Sequence, residues 1–233
     1  MHINKTKRFI THFWKEDAGL TSMLVIIFIT NFLVQPLFNE SSLIRYINEY
    51  LFLTIILSGI WILIEKTRNK ILWTLAPLTF FILTKIEDLN FGPLFTGPKI
   101  FLITSTFFIL IYLVMKKVFE PGPVSFHKIV GAILAFMLLG NLWANFYDSL
   151  YFYDTSAYSF STPITLSQNT HFTFIYFSFS TLTTTGYGDI VPVSPFARSL
   201  VMIEQLIGIL YPVVLIGRLI SLNTSTQSNS DSK

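Results

Sequence analysis

Long apolar runs, separated by short polar segments, make up most of the 233-residue chain. A helix needs about 20 apolar residues to cross a bilayer, and several runs reach or approach that length. They lie at residues 20–38, 43–64, 70–86, 98–118, 126–148 and 195–221. The third run is the shortest and contains Pro77, a residue type that disfavours helix interiors. The pattern therefore predicts an all-α membrane protein with six transmembrane helices.

A further apolar stretch lies between the fifth and sixth runs but is too short to span a bilayer. It reads NTHFTFIYFSFSTL, residues 169–182, and Asn169 is a suitable N-cap residue. A short apolar helix here is expected to re-enter the membrane and to lead into TTTGYGD, residues 183–189, which we call the GYG segment. Irregular backbone at membrane depth must be buried in protein or line a water-filled path. The expected fold therefore has a re-entrant helix and loop between its fifth and sixth helices.

Composition agrees with a membrane protein and argues against several other functions. Hydrophobic residues make up 52% of the chain and charged residues 12%, about half the charged content of average soluble proteins. The absence of cysteine excludes disulfides, thiolate metal sites and a cysteine nucleophile. No nucleophile, base and metal ligands fall in one place, so the sequence does not indicate an enzyme. The net charge of +3 comes from scattered basic residues, which argues against a nucleic-acid partner.

The Lys and Arg residues predict orientation, because they favour the cytoplasmic side of a membrane. Most of the 16 fall on that side if both termini are cytoplasmic, which agrees with an even number of spans. The GYG segment then lies on the outer side. The expected organisation is a cytoplasmic N-terminus at 1–19, a four-helix scaffold at 20–118, a second membrane domain at 126–221 and a disordered cytoplasmic tail at 222–233.

The two glycines of the GYG segment have a specific conformational use. If successive backbone carbonyls are to face one axis, alternate residues must adopt positive φ, which glycine does at little cost. Gly186 and Gly188 have the required spacing. Such carbonyls, together with the hydroxyl of Thr184, can replace the water shell of a desolvated cation. The C-terminal end of the short helix adds a negative dipole directed at the same region.

The GYG segment resembles the selectivity filter of potassium channels, and the similarity extends over residues 126–221, the outer helix, pore helix, filter and inner helix of that family. The resemblance implies a homotetramer in a plasma or inner membrane, with K⁺ as the permeant ligand and no other cofactor. It also implies that Asp189 lies at the outer mouth and that Ser180 supports the filter. The implied K⁺-binding positions are Thr184, Thr185, Gly186, Tyr187 and Gly188.

Two places depart from the pattern of that family. Thr185 stands where the family more often has valine or isoleucine, and its side chain is expected to point behind the filter. The change therefore concerns filter stability and inactivation more than selectivity. Tyr176 and Phe177 replace the tryptophan pair of the family's pore helix.

The expected function is passive, K⁺-selective conduction without a charged voltage sensor. The fourth span, PKIFLITSTFFILIYLVMKK, carries charge only at its ends, whereas a sensor helix carries arginines at every third position. The first four spans are therefore expected to form a scaffold. A weakly selective monovalent cation channel is the alternative, although related nonselective filters usually replace the aromatic residue found here as Tyr187. A secondary transporter is less consistent, because it would show inverted repeats with paired broken helices.

The sixth span carries a predicted gating hinge. Gly208 lies twenty residues after Gly188, the spacing at which similar channels have a hinge glycine, and Pro212 favours a bend. Gly208 has an equal alternative role as a close-packing site. By resemblance, the cavity-lining positions are Ile209, Pro212 and Ile216.

Glu204 is the acidic residue that lies well inside the sixth span, where an ionisable group is a functional-site candidate. At about 100° per residue it points away from the cavity-lining positions, so we expect it to face protein and to brace the filter. Its expected hydrogen-bond partners are the hydroxyls of Ser180, Thr183 or Thr185, in its own or a neighbouring subunit. Cavity lining, with binding of blocking cations, is the alternative for Glu204.

Overall fold

The computed structural model of the protein describes residues 18–34, 74–75, 77–79, 82, 96–120, 124–161 and 170–231. Helices dominate these ranges, as expected from the apolar runs. The elements in chain order are α1 (Ala18–Ile29), which continues as a π-helical segment (Thr30–Val34), then α2 (Thr96–Val118), α3 (Phe126–Tyr153), β1 (Tyr158–Phe160), α4 (Thr170–Leu182), β2 (Ile190–Pro192) and α5 (Pro195–Asp231).

Three helices in the described ranges are long and apolar enough to cross a membrane, namely Ile100–Val118, Phe126–Tyr153 and Pro195–Arg218. They correspond to the predicted fourth, fifth and sixth spans. The first predicted span contains a shorter apolar helix, Thr21–Val34. The second predicted span, 43–64, lies outside the described residues, and the third, 70–86, is described at six positions, all of them helical. The described chain therefore has the helical membrane class that the sequence predicts.

The chain divides into two compact units. The first comprises Met1–Val118 and Phe126–Met137, and the second comprises Phe119–Ser125 and Leu138–Lys233. Buried apolar side chains of the first unit include Met23, Ile27 and Val114. The second unit contains the C-terminal part of α3, the whole of α4 and α5, and the GYG segment. The GYG segment, Glu204 and the residues that contact them all belong to this second unit.

A small antiparallel sheet in the second unit was not part of the all-α prediction. β1 pairs with β2 in the register Tyr158↔Pro192 and Phe160↔Ile190. The pairing continues on both sides, because the N–H of Ser161 donates to the carbonyl of Asp189 at 2.8 Å. Three-residue strands are too short to leave an alternating pattern in the sequence. The sheet fastens the chain that leaves the GYG segment to the chain that follows α3.

The C-terminal tail also differs from the prediction. Residues beyond 221 were expected to be disordered, but α5 continues as a helix to Asp231. Extending an existing helix costs far less than nucleating one, so a polar segment can continue a long apolar helix. Pro212 lies inside α5 without ending it.

An aromatic cluster fills the centre of the second unit and surrounds α4. Tyr147 of α3 lies with its ring centroid 5.0 Å from that of Phe177, and Tyr158 of β1 lies 5.1 Å from Phe174. All four rings are buried. Tilted aromatic pairs at such distances stabilise a core beyond the area they bury. The cluster therefore holds α4 in a fixed position beside α3.

Candidate functional site

The GYG segment begins by folding onto the last turn of α4. The N–H groups of residues 183–186 all donate to carbonyls of that turn, which would otherwise lack partners at a helix end. Two of these bonds converge on one oxygen, because the N–H groups of Thr185 and Gly186 reach the carbonyl of Ser180 at 2.8 and 3.1 Å. The first half of the segment is therefore fixed relative to α4 by its backbone.

The backbone of the GYG segment alternates in handedness. φ is 59° at Thr184, 53° at Gly186 and 80° at Gly188, and these are the left-handed residues found in the part of the chain that the structure describes. The positive φ expected at the two glycines is thus confirmed. Thr184 was not expected to share it, because a β-branched residue in this region is strained. Strain of this kind, held in place by the surrounding structure, is found mainly at functional sites.

Tyr176 supports the C-terminal end of the GYG segment in two ways. Its hydroxyl donates to Oδ2 of Asp189 at 2.7 Å. Its ring stacks on that of Tyr187, with centroids 6.0 Å apart and planes 8° from parallel. From the sequence, Tyr176 was identified only as a replacement for a tryptophan, although both residue types carry a hydrogen-bond donor on an aromatic ring. Asp189 also accepts from the N–H of Ile190 at 3.1 Å.

Two threonine hydroxyls connect the GYG segment to α4 by side chains. Thr183 Oγ1 donates to the carbonyl of Phe179 at 2.7 Å. The same oxygen lies 2.9 Å from Oγ1 of Thr185. Thr185 is therefore linked to the helix end through the side chain of Thr183 as well as directly through its own N–H group.

Glu204 is completely buried within the single chain, and its predicted role in bracing the filter stays a prediction. Its two carboxyl oxygens accept hydrogen bonds from different helices, Oε2 from the hydroxyl of Tyr147 on α3 and Oε1 from the hydroxyl of Ser178 on α4 at 2.5 Å. The Ser178 hydroxyl also lies 2.8 Å from the carbonyl of Gly140. One carboxyl group thereby joins α3, α4 and α5.

Within the single chain the partners of Glu204 are not the predicted hydroxyls of Ser180, Thr183 or Thr185. Ser180 donates to the carbonyl of Phe177 in its own helix at 3.0 Å, and Thr183 and Thr185 contact each other. Ser178 and Ser180 are separated by about 200° around a helix, so they face nearly opposite directions. Helical periodicity indicated which side of α5 carries Glu204 but not which side of α4 meets it.

Tyr158 brings an unpaired hydroxyl to the same cluster. The residue is 4% exposed and its hydroxyl oxygen, although buried, has no hydrogen-bond partner. Burial raises the pKa of Tyr158, and the charge of the Glu204 carboxyl adds to the shift. Tyr147 and Tyr158 therefore present two buried hydroxyls in one cluster, of which only the first is bound to the carboxyl.

Glycines on both sides of α4 permit close contact with it. A β-carbon at Gly208 would lie 2.0 Å from the carbonyl oxygen of Leu182, and one at Gly140 would lie 2.8 Å from the ring of Phe179. The first distance is far below any van der Waals contact, so Gly208 is a close-packing site. Its role as a gating hinge with Pro212 stays a prediction.

The N-terminal end of α4 is bonded to the C-terminal part of α3. Thr170 Oγ1 donates to Oδ1 of Asp148 at 3.0 Å, and Nδ1 of His171 lies 3.4 Å from the other oxygen of that carboxyl. The proposed N-cap, Asn169, lies outside the described residues. Ile209 and Ile216 are 55% and 57% exposed in the single chain, and their predicted cavity-lining role stays a prediction.

The comparison with protein families agrees with this geometry. Residues 153–225 match the model of a family described as "Ion channel". The matched region begins at the last residue of α3 and includes α4, the GYG segment and the apolar part of α5. None of the curated proteins compared with the chain matches it. The match supports an ion channel of a membrane, a class of protein that is not an enzyme.

Proposed function

We infer that the protein is a potassium-selective channel that conducts K⁺ passively through a pore formed by four copies of the GYG segment. The observation that carries this proposal is the alternation of φ at Thr184, Gly186 and Gly188, directly after the C-terminal end of a short apolar helix. Alternate left-handed residues keep successive carbonyls on one side of an extended chain. Rings of such carbonyls replace the hydration shell of K⁺.

The direction of the helices supports a re-entrant loop. Ser178 and Leu182 of α4 meet Glu204 and Gly208 of α5, so the contacts advance by one turn along both helices in the same direction. Residues 183–194 must therefore return to the level at which α4 began. A short helix followed by returning, irregular backbone is the arrangement expected for a lining of a water-filled path.

In this proposal K⁺ is held by the backbone carbonyls of the GYG segment and by the Thr184 hydroxyl. Asp189 lies at the outer mouth, and the C-terminal dipole of α4 favours a cation near its end. The proposed K⁺-binding positions are Thr184, Thr185, Gly186, Tyr187 and Gly188. No resident metal or organic cofactor is needed, because the permeant ion is itself the ligand.

One chain supplies one GYG segment, whereas a carbonyl cage requires several around a common axis, so we propose a homotetramer. Tyr187 is 70% exposed in the single chain, and apolar side chains of α5 such as Met202, Leu206 and Val213 are exposed as well. Neighbouring copies and lipid tails are the surroundings that would cover such a surface. The proposed partners are therefore other copies of the chain, the bilayer and K⁺, with no nucleic acid.

Selective conduction is favoured over weakly selective conduction by the support at the outer end of the GYG segment. Tyr187 stacks on Tyr176, which is bonded to Asp189, so the aromatic residue of the GYG sequence is held by two contacts. In this proposal the two contacts keep the carbonyls next to Tyr187 available to coordinate the ion, and the number of coordinating carbonyls is one property from which K⁺ selectivity can arise. Within the described residues one short helix leads into irregular backbone of this kind, whereas a secondary transporter would carry a pair of broken helices.

We place the channel in a plasma or inner membrane with both termini cytoplasmic, on the distribution of Lys and Arg residues. Gating by a charged voltage sensor is not proposed, because the sequence of α2 carries basic residues only near its ends. The first four spans then serve as a scaffold. Activation is accordingly expected to depend only weakly on voltage.

Ion flux into liposomes that contain the purified full-length protein tests the proposal. K⁺ uptake should clearly exceed Na⁺ uptake at equal gradients, and both should be absent from protein-free liposomes. Equal K⁺ and Na⁺ uptake would support the weakly selective cation channel in its place. Uptake that requires a second, coupled ion gradient would point to a transporter and overturn the channel.

A further inference from the structure

Thr185 differs from the usual residue of potassium-channel filters by a hydroxyl group, and the structure gives this hydroxyl a partner. Its Oγ1 lies 2.9 Å from Oγ1 of Thr183, whose own hydroxyl donates to the carbonyl of Phe179 at 2.7 Å. The three oxygens form a chain that runs from the middle of the GYG segment to the last turn of α4. A valine or isoleucine at position 185 would have no atom to take part in it.

The direction of this chain follows from counting hydrogens. A threonine hydroxyl has one hydrogen to donate and two lone pairs that accept. The hydrogen of Thr183 is used on the carbonyl of Phe179, so the contact between the two threonines must be donated by Thr185. Each hydroxyl is therefore required, and loss of either one breaks the side-chain link between Thr185 and α4.

The position of Thr185 in the backbone makes the link consequential. The residue lies between Thr184 and Gly186, both of which are left-handed. Its N–H is already bonded to the carbonyl of Ser180 at 2.8 Å, so the hydroxyl chain adds a second attachment to the same helix end. A residue held at two points cannot shift along or rotate about the helix end without breaking one of them.

We propose that Thr183 and Thr185 are positioning residues whose hydroxyls form a tether between the GYG segment and α4, and that this tether prolongs the conducting conformation of the pore. The proposal rests on the proposed function. Both side chains are exposed in the single chain, where water competes for their hydrogen bonds. In the proposed tetramer a neighbouring copy excludes that water, so the tether gains strength on assembly.

The test is a double-mutant cycle on the full-length channel in planar bilayers, with Thr183→Val, Thr185→Val and the double variant. Valine keeps the shape of threonine and removes only the hydroxyl. Each single variant should shorten conducting bursts at least about 5-fold, the factor for roughly 1 kcal/mol and one hydrogen bond, because each of the four proposed copies loses the link. The double variant should show no further shortening, because both changes break the same chain.

Two matched variants separate the tether from general damage. Thr185→Ser keeps the hydroxyl and should restore bursts close to those of the unmodified channel. Thr106→Val removes a hydroxyl that donates to the carbonyl of Leu102 at 2.8 Å, the same kind of bond made by Thr183 but on α2, and should leave bursts unchanged. Size-exclusion chromatography of every variant shows that assembly is intact.

The outcomes distinguish the tether from the proposed function. If the unmodified protein conducts K⁺ and Thr185→Val has normal bursts, the tether is overturned while the channel stands. Effects of the two valine variants that add in full would also overturn it, because independent changes do not share one chain. If the unmodified protein carries no K⁺ current, the proposed function itself fails.

Discussion

Tyr147→Phe is expected to weaken the contact among α3, α4 and α5, whereas Tyr158→Phe is expected to leave it intact. Both tyrosines are buried, and their ring centroids lie 5.9 Å apart. The hydroxyl of Tyr147 donates to Glu204, but the hydroxyl of Tyr158 has no partner. Each substitution removes one hydroxyl from the same aromatic cluster, so the two variants differ in the hydrogen bond and not in the volume removed.

The expected cost follows from the group that each variant leaves unpaired. Without the Tyr147 hydroxyl, one buried oxygen of Glu204 has no donor, which costs about 1–3 kcal/mol in proteins generally. Hydrogen bonds between membrane helices have lower values, up to about 1.7 kcal/mol, so a loss of ~1–2 kcal/mol is expected. Removing the unpaired hydroxyl of Tyr158 relieves a desolvation penalty and should be neutral or slightly stabilising.

Substitutions of Glu204 itself extend the comparison. The hydroxyl of Ser178 has one hydrogen but two oxygens within reach, the carbonyl of Gly140 and Oε1 of Glu204. An amide in place of the carboxyl can accept from Tyr147 and donate to Ser178, which leaves Ser178 free to donate to Gly140. Glu204→Gln should therefore be mild. Glu204→Ala leaves two buried hydroxyls without the carboxyl and opens a cavity, at a cost of about 2–5 kcal/mol.

Two assays measure these effects on the full-length protein. Heat-induced dissociation, followed by size-exclusion chromatography, reports the stability of the assembly, and single-channel recording reports the lifetime of the conducting state. Tyr147→Phe should reduce that lifetime at least about 10-fold, the factor for a loss of about 1.4 kcal/mol in one of the four proposed copies, and Tyr158→Phe should match the unmodified channel. Equal losses in both phenylalanine variants would refute the role of the hydrogen bond. Weaker block by internal magnesium or polyamine in Glu204→Ala, with an otherwise unchanged filter, would place the carboxyl in the cavity.

The remaining predictions concern the GYG segment and its contacts. Gly186→Ala should abolish K⁺ current while assembly persists, because a φ of 53° is strained for a residue with a β-carbon, even though this β-carbon would meet no atom within 4 Å. Gly217→Ala is the control: its β-carbon would also meet no atom within 4 Å, and the variant should conduct normally. Gly208→Ala should prevent stable assembly, as measured by size-exclusion chromatography, since its β-carbon would lie 2.0 Å from a backbone oxygen. A normal yield of the assembled variant, with only its gating altered, would favour the hinge. Tyr176→Phe should shorten conducting bursts about 5-fold by losing the bond to Asp189, and unchanged bursts would contradict that support.

Features that depend on local chain properties were predictable from the sequence. Apolar length located the spans found as α2, α3 and α5, and the same criterion identified α4 as too short to cross. Glycine spacing predicted positive φ at two positions of the GYG segment, because this conformation is a property of the residue type. Helical periodicity predicted that Glu204 points away from the cavity-lining positions implied by the resemblance, because the angle between two side chains of a helix depends on their separation in sequence, and Glu204 is buried in the chain.

Features that depend on contacts between distant segments were not predictable in this way. The strands β1 and β2 have three residues each and exist because they pair with one another, not because either has a strand pattern. Thr184 is left-handed although a β-branched residue disfavours this conformation, so contacts with other parts of the chain must offset the conformational strain. The partners of Glu204 depend on which face of α4 meets α5, and no periodicity in α5 contains that information.

The contacts between α4 and α5 also restrict where the inner helix can bend. Glu204 bonds to Ser178, and one turn later Gly208 lies against the carbonyl of Leu182. A bend at Gly208 or before it would break the buried hydrogen bond between Glu204 and Ser178, or it would move α5 away from the end of α4 that leads into the GYG segment. Motion that leaves that helix end undisturbed must therefore occur beyond Gly208. Pro212 lies there, and because its missing N–H removes one helix hydrogen bond, bending costs less at this point than elsewhere along the span.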